Sequence, residues 1–328
     1  MHYRRLGKTG LKLSEISFGP WINFYDIEDT DTAKACMVQA YACGVNYFDG
    51  AEGYGLQIGE AETAMGRIIR EQNWPRDSFA VSGKLIPAGH GPERPTMASG
   101  LNRKHLVDGC EAALERFGVS YLDLFFCHRP DPETPLEETC EGMHELVCRG
   151  KILYWGTSCY SPAELIEIYA LCERYGFRKP SVEQSEYNLL HQARVDSALA
   201  PLIATHGLGI TAFSPLKGGI LSGKYLQGIP ASGSRLSYAQ QAWSKSAFTR
   251  SQAQVAAFQG VANKIGLPMS RLALAVALRN PRISTLLTGA SRPEQVTENC
   301  TAPEDARKLS DEEIRQVKAV FEFATCSP

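Results

Sequence analysis

Eight short apolar runs, each followed by a stretch of helical periodicity, divide most of the chain into strand–helix units. The runs are ISFG at 16–19, the segment Val45 to Phe48, FAVSGK at 79–84, LDLFFCH at 122–128, ILYWGTS at 152–158, SVEQSEY at 181–187, GITAFSPL at 209–216 and STLLTG at 284–289. Between them the apolar spacing changes to three and four. From Thr30 to Cys43, Ala33, Cys36, Met37, Ala40 and Tyr41 share one stripe; from Glu60 to Glu71, Ala61, Ala64, Met65 and Ile68 do the same. HLVDGCEAALERFG at 105–118 repeats the pattern with Leu106, Val107, Cys110, Leu114 and Phe117. Further helices are expected from Leu136 to Arg149, from Ser161 onward, from Val195 to His206, at 252–265, at 270–279, in SRPEQVTENC and in SDEEIRQVKAVFEFA. The helix opening at SPAE carries its own start signal: Ser161 as N-cap, Pro162 at the first helical position and Glu164 completing a capping box.

This alternation requires a parallel sheet covered by helices, because a parallel strand needs a crossover to rejoin its sheet. An open doubly wound sheet and a closed barrel both satisfy it. The open dinucleotide-binding sheet carries Gly-x-Gly-x-x-Gly after an early strand, and IGEAETAMG at 58–66 does not supply it. Polar residues instead gather at the run ends throughout. The expected fold is therefore α/β, a (β/α)8 TIM barrel built as a single domain over residues 1–328. LGKTGLKLS at 6–14 reads as a glycine-turn hairpin covering the barrel bottom, and the last segments as extra C-terminal helices. Residues 217–250 break the rhythm with Gly, Ser, Gln and polar aromatic positions, and are read as a lid or binding loop.

Composition narrows the function classes. With 44% hydrophobic and 21% charged residues the chain is a packed globule. A net charge of -2 and a pI of about 6.4 leave no basic footprint for nucleic acid, although a single local pocket suffices for a phosphate-bearing small molecule. MHYRRLGKTG is not followed by the apolar core of a secretory signal, and no apolar run reaches the roughly 18 residues of a membrane span. The ten cysteines include no Cys-x-x-Cys pair and read as reduced, mostly core residues, so a cytoplasmic setting is expected.

The ends of the runs carry Asp49, Lys84, His128, Ser158, Gln184, Tyr187 and the Ser214-Pro215 turn, which a barrel would bring to one face. Each has an ordinary reading alone: His128 as a core histidine, Lys84 as a solvated strand end, Tyr54 as loop packing, Asp49 as an Asp-Gly turn. Together they suit proton delivery to an oxygen. A phenol needs a neighbouring cation to give up its proton readily near neutrality; Lys84 could supply it, Asp49 could hold the lysine, and His128 could bond a carbonyl or relay a proton. The set fits carbonyl reduction with a reductant from a bound cofactor. The seven histidines show no His-x-His or His-Glu-x-x-His pattern, which leaves too few ligands for a metal. A Schiff-base lyase on Lys84 stays chemically open, but gives Ser158, Gln184 and Phe213 no task.

The segments YRRLGKTGLKLS, GVNYFDGAEGYG, PRDSFAVSGK, FFCHRPDPETPLEET, YWGTS, VEQSEYNL, FSPLKGGILSGKY, GSR and GASRPEQVTEN follow one another over nearly the whole chain. In this order they resemble the aldo-keto reductases, in the branch of the voltage-gated potassium channel beta subunits and related microbial and plant reductases. The resemblance implies a catalytic tetrad of Asp49, Tyr54, Lys84 and His128 and a cofactor, NADPH or NADP+, across the barrel mouth. Ser158 and Gln184 would hold the nicotinamide amide and Phe213 would stack on the ring, with Trp21 and Asp49 also among the contacts. Ser214, Pro215, Leu216, Gly218 and Lys224 would surround the pyrophosphate, Arg235 the adenosine phosphate, and Gly289, Ser291, Gln295, Glu298 and Asn299 the adenosine. These types suit their tasks: glycine admits close backbone approach, cations neutralise phosphate, and amides grip adenine.

The implied activity is reduction of a small aldehyde or ketone to the alcohol with Tyr54 as proton donor. Trp21, Trp155 and the 217–250 segment would shape the substrate pocket, Trp21 serving equally well as a core aromatic. The alternative is an NADPH-binding channel beta-like subunit docked to a channel alpha subunit, and a homo-oligomer, up to a tetramer, accompanies either. The chain departs from the family pattern at Gly50, where Thr or Asn is common, at Cys159, where Asn or Arg is common, and at Ser82-Gly83, where Thr-Thr is frequent. Gln295 stands where many relatives carry arginine, with Arg292 and Arg235 as substitutes toward a 2′-phosphate. His128 stands where animal channel subunits tend to carry Asn, which favours turnover.

Overall fold

A computed structural model describes residues 1–19, 30–87, 95–230, 236 and 242–322. The chain begins with an antiparallel hairpin, β1 (Tyr3–Arg5) and β2 (Lys12–Ser14), paired Tyr3 to Ser14 and Arg5 to Lys12. The alternation expected from the sequence follows: β3 (Ile16–Phe18), α1 (Thr30–Ala42), β4 (Tyr47–Asp49), α2 (Glu60–Gln72), β5 (Ala80–Leu85), α3 (Arg103–Phe117), β6 (Leu122–Cys127), α4 (Leu136–Cys148), β7 (Ile152–Ser158) and α5 (Pro162–Tyr175). After β8 (Val182–Glu186) come α6 (Ala200–His206), β9 (Gly209–Phe213), α7 (Ala242–Ile265), α8 (Met269–Leu278), β10 (Ile283–Thr288), α9 (Pro293–Asn299), α10 (Ala302–Lys308) and α11 (Asp311–Glu322). β3 to β10 close into a parallel barrel in sequence order, with β10 returning to β3 through Leu286–Ile16 and Thr288–Phe18.

Two-residue alternation along each strand sorts side chains into two cores. Inward-facing Tyr47, Ala80, Leu124, Phe126, Val182 and Leu287 pack together inside the barrel, so the interior is filled rather than open. Outward-facing Phe48, Val81, Phe125, Trp155 and Ile210 join the helices in the larger outer core. The hairpin stoppers the foot of the barrel. Leu6 and Leu13, both fully buried, push into the inner core from below, each worth roughly 1.5–3 kcal/mol by burial. Arg4 fastens the hairpin by donating to the carbonyls of Leu278, Asn280 and Ile283 and to Glu15.

Three boundaries differ from the sequence expectation. The segment from Val195 to His206 is a π-helical turn, Arg194–Ala198, followed by α6, because Pro201 at the start of α6 lacks the amide needed to continue the turn before it. α7 begins at Ala242 and not near 252, so the expected long loop is helical in its last part; AWSKSAFTRSQAQ contains neither Gly nor Pro and is free to coil. α10 was not anticipated, since its proline falls in the first turn, where a helix tolerates it. Among the described residues no single helix is long and apolar enough to cross a membrane.

Candidate functional site

The C-terminal ends of β4, β5 and β6 deliver Asp49, Lys84 and His128 to one place, because each continues the inward parity of its strand (Tyr47, Ser82 and Phe126 respectively). Lys84 and Asp49 are 0% and 3% exposed. The lysine Nζ donates to Asp49 Oδ2 at 2.6 Å, to the Gly50 carbonyl at 2.7 Å and to the Tyr54 hydroxyl at 3.1 Å. An ammonium has three hydrogens, and all three are spent. Tyr54 is therefore the acceptor in its contact with Lys84, and its own hydrogen is directed away from the lysine. His128 meets the Tyr54 ring edge-on, with centroids 5.6 Å apart and planes at 77°.

The other Asp49 oxygen is held by neutral donors. Oδ1 lies 3.0 Å from the Tyr47 hydroxyl, 2.8 Å from Ser82 Oγ and 3.0 Å from Gln184 Nε2. Neither Tyr47 nor Ser82 was given a role in the site from the sequence, although each stands two residues before a predicted site residue and so faces inward with it. Burial, then the Asp49 charge, pushes the Tyr47 phenol well above its ordinary range.

Tyr54 reaches over this pair from the loop between β4 and α2. Glu52 anchors that loop: its backbone N–H donates to Lys84 O at 3.1 Å, its carboxylate accepts from Ile86 N at 2.8 Å, and His105 Nε2 stands 3.5 Å away. Gly55 turns the chain at φ 107°, where a Cβ would stand 2.5 Å from Glu60 Oε2, so the residue after Tyr54 must be glycine. Burial raises the Tyr54 pKa first; the Lys84 charge pulls it down, Asp49 pushes it up, Arg129 pulls it down, and the result stays above the ordinary phenol value. The sequence expectation of a net lowering by Lys84 is corrected here: the cation acts as expected, but desolvation outweighs it. For Lys84 burial opposes the charge, yet Asp49 and then Tyr54 more than compensate, and the ammonium is held above its ordinary value.

A half-buried phenol whose oxygen rests on an ammonium can release a proton to an oxygen placed over it, and the cation then stabilises the phenolate. The sequence model of the Aldo/keto reductase family matches residues 15–322. The chain belongs to this family. Similar proteins include a "Probable voltage-gated potassium channel subunit beta" of Oryza sativa subsp. japonica, 37% identical over 98% of this chain and 97% of its own length. A "Putative voltage-gated potassium channel subunit beta" of Schizosaccharomyces pombe is 39% identical over 98% of this chain and 93% of its own. A protein of Arabidopsis thaliana named like the rice one is 38% identical over 92% of this chain and 91% of its own.

In this aldo/keto reductase the described residues expected to hold a cofactor lie at the strand ends and in the segments that follow them. Ser158 and Gln184 face each other in the β7–β8 register, both buried, and half-buried Phe213 ends β9. The turn beyond is built for backbone exposure: Ser214 and Lys217 adopt φ of 52° and 48°, and Gly218 and Gly219 follow at 65° and 90°. Lys217 donates to Glu186 Oε1 at 2.5 Å and Asn188 Nδ2 to Ser214 O at 3.1 Å, which holds the strained turn. A Cβ on Gly219 would stand 2.8 Å from Lys224 Nζ, so glycine lets this lysine lie against the turn. No carboxylate partners Lys224 among the described residues, which suits an incoming phosphate. These features fit a dinucleotide with its pyrophosphate over the turn. Pro215 and Leu216 complete the turn, and Gly289, Ser291, Gln295, Glu298 and Asn299 lie at and beyond the end of β10. There Gln295 Oε1 accepts from Ser291 N and Oγ, while Glu298 is turned toward Ser270 Oγ at 2.5 Å. Trp21 and Arg235 lie outside the described residues.

Two expected contributors are placed elsewhere. Trp155 has the opposite parity to Ser158; it is buried in the outer core and donates to Arg178 O at 2.7 Å, so it cannot shape a pocket at the mouth. Tyr187 likewise has the outward parity of β8, and its hydroxyl meets Asn280 Nδ2 at 3.0 Å and Asp196 Oδ2 at 3.4 Å.

Gly50 has a packing explanation. A Cβ there would stand 2.7 Å from Phe117 Cζ, 3.2 Å from Ser82 O and 3.4 Å from Met65 Sδ, so Phe117 occupies the space a larger residue would need. Gly50→Thr should cost about 1–3 kcal/mol in urea unfolding, and adding Phe117→Leu should return part of it. Equal loss in the single and double variants would count against the clash.

Behind β5, Glu62 of α2 is fully buried against Arg116 at 2.7 Å, and burial outweighs that partner to push its carboxyl up to about 7. A carboxyl whose folded pKa lies above its unfolded value contributes stability at low pH that is lost as pH rises through the folded pKa. Stability should therefore decline between pH 5 and 8 more steeply in the native protein than in Glu62→Gln, as read from thermal midpoints across that range. Parallel pH profiles would refute this.

Proposed function

We propose that this protein reduces an aldehyde or ketone to the alcohol with NADPH as reductant and Tyr54 as proton donor. The observation that carries the reading is the three-way contact of Lys84 with Asp49, Gly50 and Tyr54, which sets a half-buried phenol oxygen against a cation. A bound nicotinamide supplies the hydride to the carbonyl carbon. Tyr54 gives its proton to the carbonyl oxygen as that oxygen becomes alkoxide. Lys84 neutralises the phenolate left behind, Asp49 keeps Lys84 charged and fixed, and His128 positions the carbonyl oxygen against Tyr54. Ser158 and Gln184 would hold the carboxamide of that nicotinamide, Phe213 would back its ring, and Lys224 would neutralise the pyrophosphate.

The test is a direct NADPH titration followed by tryptophan fluorescence, with loss of NADPH absorbance measured against a panel of aldehydes. Saturable binding with turnover is expected; no binding would end the reading. The names of the relatives support a second role, a channel beta-like regulatory subunit that binds NADPH and docks to a channel alpha subunit. Binding of NADPH without turnover on any carbonyl would favour that role.

A further inference from the structure

Arg129, the residue after His128, is the one site cation to which the tetrad and the cofactor cradle assign no task. It is half-buried, and its Nη1 donates to the His128 carbonyl at 2.5 Å and to Ser158 Oγ at 3.1 Å. Both acceptors are neutral, and among the described residues no carboxylate pairs with it. The acids of β8, one strand beyond β7, are committed, Glu183 to Arg194 and Thr157 and Glu186 to Lys217. Asp49 and Lys84 cancel one another, so beside the tetrad Arg129 carries a positive charge that no carboxylate among the described residues compensates. A guanidinium withdrawn from water without a counter-ion is costly and attracts an anion.

The geometry of the unused hydrogens says which kind of anion. Nη1 spends both of its hydrogens on the two acceptors named, which leaves Nε–H and the Nη2 hydrogens, the side-on edge that grips a carboxylate through two parallel bonds. The two Nη1 contacts fix the plane of the group, so little side-chain freedom remains to be lost on binding. Arg129 is also near enough to Tyr54 and Cys159 for its charge to act on both. A molecule whose carbonyl rests on Tyr54 and His128 thus has a cation within reach of its other end.

We propose that Arg129 anchors a carboxylate of the substrate, so that the preferred carbonyl compounds are short oxo acids. The carboxylate is a spectator: hydride and proton still add across the carbonyl, and the acid end only positions it. This rests on the reductase reading and names the substrate class of the same site.

The test compares kcat/KM for succinate semialdehyde and glutarate semialdehyde with that for their methyl esters, in the native protein, Arg129→Met and Arg129→Lys. The native protein should favour the acids by roughly ten- to a hundredfold, the value of a charge-assisted pair. Arg129→Met should abolish the ratio through KM, and Arg129→Lys, which keeps the charge but loses the fork, should retain part of it. A native ratio near one, or a ratio unchanged in Arg129→Met, overturns the anchor. Acid and ester falling in step also overturns it, and assigns Arg129 to electrostatic support of Tyr54. Calorimetric titration of glutarate, with and without NADP+, reads the anchor without turnover: native protein should bind it and Arg129→Met should not, and no binding to native protein overturns the proposal. If neither acids nor esters consume NADPH, the reductase reading fails, separately from the glutarate result.

Discussion

A Tyr54→Phe protein is expected to bind NADPH as the native protein does and to reduce carbonyls roughly a hundred- to ten-thousandfold more slowly, the usual contribution of a positioned proton donor. The substitution removes one oxygen and keeps the ring, so the edge-on contact with His128 and the cation–ring contact with Lys84, at 4.6 Å, persist. Lys84 keeps its bonds to Asp49 and Gly50, so the fold should not suffer. The loss should fall on kcat rather than on cofactor affinity, because the proton moves only as the alkoxide develops. The native rate should stay level through neutral pH and fall only at the alkaline end, since burial holds the phenol above its ordinary pKa and the donor works only while protonated. Turnover unchanged in Tyr54→Phe would remove Tyr54 from the role.

Lys84→Met should be the most destabilising change at the site. It deprives Asp49, 3% exposed, of its counter-ion and the Gly50 carbonyl of its donor. Breaking a buried pair from one side costs about 3–5 kcal/mol, because the remaining charge stays desolvated. Tyr47, Ser82 and Gln184 still bond Oδ1, but none carries charge. Asp49→Asn added to Lys84→Met should recover much of the stability in urea unfolding and none of the activity, which separates the structural from the chemical part of the pair. A single variant as stable as the native protein would show that the pair contributes little to the fold.

The barrel was legible because parallel strands buried on both faces must be apolar and must end abruptly, as LDLFFCH does at RPDPETP. Asp49, Lys84 and His128 stood out because they are the residues at which apolar strands become polar. Their company did not. Tyr47 and Ser82 sit inside strands and look like core, and only the two-residue period shows that they share a face with Asp49 and Lys84. The same period would have placed Trp155 and Tyr187 on the outer face. The pKa of Tyr54 depends on how much water surrounds it, which residue types do not reveal. Phe117 and Gly50, far apart in the chain, explain each other only once α3 lies against the end of β4. Arg129 looked like part of a strand-ending RPDP run until its bond to Ser158 placed it beside the tetrad.

The hairpin that plugs the foot of the barrel also sets the direction of traffic. With Leu6 and Leu13 packed into the filled interior from below, the site is open to visitors from the strand-end face and not from the foot. On the function proposed above, a ligand resting on Ser158 and Gln184, both almost wholly buried, would come in ahead of one held by the more exposed Arg129, and would leave after it. Such a queue should show in the inhibition patterns of the two products, which would reveal who stands first.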